Sequence, residues 1–159
     1  MTKKFSVIPL LCAVLWPAIA LSEPIDDIVI VANNATELPN DPEAARIKLR
    51  QMYLKQSRAW PNGVDTQPFA RPSESDVQRK FEEFILMMNE DELAAYWLRL
   101  KQTRGETRPK TIGADRIFLR QIARKPGTFG AISRESFDGA QVDGAVIIFD
   151  LDADTELEK

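Results

Sequence analysis

Histidine is absent from the 159 residues, and the one cysteine is Cys12. These two absences exclude a catalytic histidine, a Cys/His zinc site and a disulfide framework, provided Cys12 leaves with a targeting segment. Glycine is also scarce, at 7 residues, and no glycine-rich phosphate loop of the nucleotide-binding kind or nucleophile motif occurs. A net charge of −3 gives no reason to expect a nucleic-acid partner. What remains is 44% hydrophobic and 28% charged residues, the composition of a single globular domain able to bury a core.

Residues 1–22 read as a signal peptide. Lys3 and Lys4 precede an apolar run from Phe5 to Leu21, with small residues at Ala18, Ala20 and Ser22. The run holds Pro9 and Pro17 and falls short of the ~20 apolar residues that span a bilayer, so cleavage after Ala20 or Ser22 is expected, with no membrane insertion afterwards. The mature chain is then free of cysteine, and residues 152–159 form an acidic C-terminal tail behind a domain over 23–151.

Within that domain, Ile25–Val31 reads as a strand entering a turn at Asn33-Asn34. Asp41-Pro42 opens a helix burying Ala45, Leu49, Met52 and Tyr53 and fading near Gln56. Trp60-Pro61-Asn62-Gly63 reads as a turn and Thr66–Ala70 as a second strand. A helix follows with Val77, Phe81, Phe84, Ile85 and Met88 on one face. Asn89 and Glu92 form a capping pair for another helix, burying Leu93, Tyr96, Trp97 and Leu100 and stopping near Gly105. Ala114–Arg124 is a third helical segment, ended by Pro126-Gly127. Two strands, Thr128–Ser133 and Ala145–Leu151, close the chain around a loop. The order β-α-β-α-α-α-β-β predicts an α/β sandwich with a mixed sheet. Its expected core is Val29, Val31, Phe81, Phe84, Ile85, Tyr96, Trp97, Ile122, Ile132 and Ile147.

Charge is uneven. Residues 99–125 carry nine basic residues against two acidic ones, with Arg116, Arg120 and Arg124 stacked along one helix side, a pattern read as a solvated face or as a surface that attracts anions. The alternating Asp150, Asp152 and Asp154 fail as a calcium loop, because Thr155 stands where the sharp turn needs glycine. Ser73 and Ser75 lie where a strand end feeds a helix start. Free N–H groups and the positive dipole end make such a junction an anion site, although Ser75 also fits a plain helix cap bonding Val77 or Gln78. Arg71 stands four residues before Ser75, whereas Asp76 opposes an anion there.

Several of these pieces, in order, resemble the phosphate-binding, periplasmic solute-binding proteins of ABC transporters in a short, PstS-like form. They are the strand IVIVANN, the helix ending MYL with Trp60 and Gly63 in a W-x-x-G turn, Ser75 six residues before Phe81, Tyr96-Trp97, Pro109, and PGTFGAI over 126–132. The resemblance implies one lobe of the type 2 periplasmic-binding-protein fold, a mixed β-sheet flanked by helices. It implies an exported, non-enzymatic module, periplasmic or secreted, that meets an oxyanion such as phosphate at Ser75, with Ser73 and Arg71 assisting and with no cofactor or metal. A transporter or other envelope protein is the implied protein partner, and an envelope interaction module without ligand is the alternative. Two positions depart from the family pattern: Lys55 stands where glycine is common, and Asp76-Val77 replaces the Gly-Thr of a Ser-Gly-Thr signature.

Overall fold

The computed structural model describes residues 27–151. The expected signal peptide, the acidic tail and the first two residues of the Ile25 strand lie outside them. The chain runs β1 (Ile28–Asn33), α1 (Pro42–Tyr53), β2 (Gln67–Ala70), α2 (Asp76–Phe81), α3 (Glu90–Arg104), β3 (Lys110–Thr111), α4 (Asp115–Arg124), β4 (Thr128–Ser133), α5 (Arg134–Ala140) and β5 (Ala145–Asp150). The five strands form one mixed sheet in the order β3-β2-β4-β1-β5. β2 is parallel to both β3 and β4, while β1 runs antiparallel to β4 and β5.

All six residues of β1 are buried, as its apolar, largely β-branched run requires of a strand with neighbours on both edges and helices on both faces. Helices α1 to α3 cover one face around Leu49, Met52, Phe81, Leu86, Trp97 and Phe129. On the other face α4 packs Phe118, Leu119 and Ile122 against Val29, Val31, Phe69 and Ile132. Asn33, the last residue of β1, is buried and ties the layers together, its amide donating to the carbonyls of Ile122 and Ala123 at 2.9 and 3.1 Å.

The local signals hold at the helix ends. Asp41 accepts from the Ala44 N–H at 2.8 Å with Pro42 opening α1, Asn89 and Glu92 form a reciprocal capping box, and Gly105 ends α3 at φ 67°. Lys55 takes φ 57°, the left-handed conformation that glycine adopts without strain. Gly127 is required outright, because a Cβ there would lie 1.8 Å from the Asp65 carbonyl oxygen. That close approach lets the buried Trp60 indole donate to the Gly127 carbonyl at 3.0 Å.

Four expectations need correction. α2 continues as a π-helical turn over Glu82–Leu86, and the wider turn shifts the register of the apolar face, so Ile85 and Leu86 go inward while Phe84 is left exposed. Tyr96 and Ile147 are half-buried flanks of the core instead of members of its centre, and the Tyr96 hydroxyl donates to the Leu54 carbonyl. The stretch read as a loop after β4 contains α5, seven residues capped by Ser133. An additional edge strand, β3, is only two residues long and has no hydrophobic pattern to betray it.

Candidate functional site

Because β2, β3 and β4 are parallel, the chain leaves all three at the same end of the sheet, and α2, α4 and α5 each start there. α2 then packs on one face while α4 and α5 pack on the other. Neighbouring strands whose following helices diverge in this way open a crevice at their carboxyl ends, the usual place for a ligand in an α/β sheet.

The expected residues sit at this end in three different environments. Ser73 is exposed. Ser75 caps α2: its Oγ accepts from the Gln78 N–H at 3.2 Å and donates to the Pro72 carbonyl at 2.7 Å, so its one proton is already committed. Asp76 pairs with Arg79 one turn along the same helix. Arg71 is buried, at 7% exposure. Its Nη2 donates to the Gly113 carbonyl at 2.9 Å and to the Asp115 carboxylate, and its guanidinium lies 4.8 Å over the Phe118 ring. Ser136 at the start of α5 donates to the other Asp115 oxygen at 2.6 Å. Among the described residues, Nε and Nη1 of Arg71 have no hydrogen-bond partner although both are buried. A buried cationic donor left unpaired is costly, which marks this guanidinium as a group with binding capacity in reserve.

A cleft of about 330 Å³ lies beside this network, lined by Tyr53, Arg71, Ser73, Gln78, Glu82 and Arg108 among others. Gln78 organises its floor. Its Oε1 accepts from the Arg71 backbone N–H at 2.8 Å, which fixes the amide so that Nε2 donates to the Tyr53 hydroxyl at 3.2 Å and to Glu82 at 2.9 Å. Burial pushes the Tyr53 phenol up to about 12, against a smaller opposing pull from the Gln78 bond. Burial likewise raises the Glu82 carboxyl above its ordinary range, the Gln78 bond and Arg108 opposing it and Glu90 adding to it. The cleft therefore mixes two guanidinium groups and several neutral donors with the Glu74 and Glu82 carboxyls. No acid/base pair with opposed shifts is present in it, and no group of three or more Cys, Asp or Glu among the described residues is placed to hold a metal.

Sequence reasoning missed Gln78, Arg108 and Asp115. Gln78 carried a readable signal, a polar residue on the buried side of α2 next to Val77 and three residues before Phe81. Arg108 belonged to the basic stretch over 99–125 but nothing tied it to Arg71, and Asp115 carried no signal, because 37 and 44 positions separate them from Arg71. The nine basic residues over 99–125 are all exposed, and one of them, Arg108, lines the cleft.

No family model matches the chain, and no curated protein matches it in sequence. Solved structures match it in fold. PstS of Borrelia burgdorferi superposes with a TM-score of 0.56 at 11% identity, over 78% of this chain and 47% of that one. An ABC-type phosphate transport receptor of Vibrio cholerae superposes with a TM-score of 0.54 at 16% identity, over 77% of this chain and 45% of its own. The fold is that of a periplasmic-binding-protein-like α/β unit. This chain spans about half the length of these receptors. Among the described residues no helix is long and apolar enough to cross a membrane.

Proposed function

We propose that the chain is an exported, non-enzymatic solute-binding-like module, periplasmic or secreted, that takes an inorganic oxyanion such as phosphate in the crevice beside Ser75. The observation that carries this reading is the buried Arg71 guanidinium, with two nitrogens unpaired, at the sheet end where three helices start. A guanidinium presents donors in a planar fork suited to oxyanions, and a low-dielectric wall strengthens each contact. Ser73 adds an exposed hydroxyl, and Ser75 holds the turn between β2 and α2. The similarity of fold to phosphate receptors supports the same ligand class. The donors described meet an anion from one side of the crevice, so the affinity of this chain is expected to be weak and to fall with salt.

Calorimetric titration with phosphate at low ionic strength tests the reading. Heat is expected from the wild type and should be lost in Arg71→Met and reduced in Ser73→Ala; the absence of heat at millimolar phosphate would sink the oxyanion reading. A second reading is favoured by the Ser75 hydroxyl, whose proton is spent on Pro72. On that reading the module keeps the fold to contact a transporter or another envelope protein, and the silent titration is its expected result.

A further inference from the structure

The carboxylate that matters most to an incoming anion is not Asp76 on the serine helix, since Asp76 is exposed to the partnership of Arg79 and spends its charge there. Asp115 is different. It sits at the first position of α4, whose start has no side-chain cap, and it reaches across the end of the sheet to Arg71 on one oxygen and Ser136 on the other. Those two donors come from two other segments, the β2 exit and the α5 start, and they converge on one carboxylate. That is the arrangement of an oxyanion subsite already filled by a group of the chain itself. Asp115 is also 42% exposed, whereas Arg71 is 7% exposed, so solvent reaches the carboxylate's position while the guanidinium behind it stays desolvated.

We infer that Asp115 is the resident anion of this subsite and sets its affinity by competing with external oxyanions for Arg71. The inference rests on the oxyanion reading above and adds a residue and a sign to it: removing the carboxylate raises anion affinity instead of lowering it. The physical reason is direct. With Asp115 in place an arriving phosphate meets a guanidinium whose charge is already balanced and a carboxylate that repels it. With Asp115 truncated, Arg71 is a buried cation without a counter-charge, and Ser136 Oγ is a donor without its acceptor, so an external oxyanion restores both.

The test uses the whole chain and inorganic phosphate, with sodium chloride at matched ionic strength as control. Thermal unfolding and phosphate titration are run on wild type, Arg71→Met, Asp115→Ala and the double variant Arg71→Met with Asp115→Ala. Asp115→Ala is expected to melt below wild type in chloride, to regain more from phosphate than wild type does, and to bind phosphate about tenfold more tightly, a ratio equivalent to ~1.4 kcal/mol. The double variant is expected to lose that response, which a residue important only for packing would not produce. Should Asp115→Ala fail to fold, Asp115→Asn keeps the shape, removes the charge and gives the same readout. Phosphate binding by wild type that depends on Arg71 but is no tighter in either Asp115 variant would overturn this inference and leave the proposed function standing. Silence from wild type and variants alike would overturn both.

Discussion

Of the three helices that begin at one end of the sheet, α2 and α4 have starts held in opposite ways. α2 is closed locally: Ser75 bonds Pro72 and Gln78, Asp76 bonds Arg79, and every partner lies within four residues along the chain. α4 has no side-chain cap, and its first residue is spent on Arg71 and Ser136, distant in sequence. A hydroxyl-rich strand-to-helix junction is the feature that a sequence advertises, yet its hydrogen bonds are consumed in making the turn. The charge that a ligand would meet is arranged by the plainer start, through contacts that only folding creates.

This contrast can be broken from the α4 side with the largest effect. Phe118 lies fully buried beneath the Arg71 guanidinium, so Phe118→Ala is expected to cost about 3–5 kcal/mol in a denaturant melt. A cost below ~1 kcal/mol would mean that the layer under the network is not packed as described. Ser75→Ala should cost about 1 kcal/mol, the worth of a helix cap. Its effect on phosphate binding should be small beside that of Arg71→Met, and a larger loss of binding in Ser75→Ala would return the site to the serine helix.

Glu82 gives a pH signature to the cleft next to Arg71. Its carboxyl is raised in the folded state, chiefly by burial, so its contribution to stability is fully present below the ordinary carboxylate range and is lost as pH rises through the raised value. Glu82→Gln keeps an acceptor for Gln78 and removes the charge. The variant should be more stable than wild type at neutral pH, with the difference closing in acid; equal stability at neutral pH would contradict the burial of this group. The smallest effect is expected at Asp76 and Arg79, an exposed pair within one helix, where Asp76→Ala should change stability by no more than about 0.5 kcal/mol.

The parts of the fold legible in the sequence are those governed by nearest neighbours. Asp41 with Pro42, Asn89 with Glu92 and Gly105 announce helix ends because each makes its bond within one turn. β1 is legible because a strand flanked on both edges and both faces needs an unbroken apolar run. β3 was hidden because two polar residues carry no period, and α5 because RESFDGA has a cap but no apolar stripe long enough to distinguish helix from loop. Phe84 was misplaced because a helical period assumes 3.6 residues per turn, and a π turn breaks that count. At the site, the sequence pointed to Arg71, Ser73 and Ser75 as one local group. Folding gives them different surroundings, with Ser75 locked in its cap, Ser73 in solvent and Arg71 turned to Gly113, Asp115 and Phe118.

The most direct test of the central claim is a residue-resolved NMR titration of the wild type with phosphate at low salt. The account predicts that amide and side-chain signals of Arg71, Ser73, Arg108 and Asp115 move together and saturably, with the Arg71 Nε–H signal moving most, and that chloride at equal ionic strength does not reproduce the shifts. Saturable shifts confined to the exposed Arg116, Arg120 and Arg124 face, or none at the Arg71 end of the sheet, would contradict it.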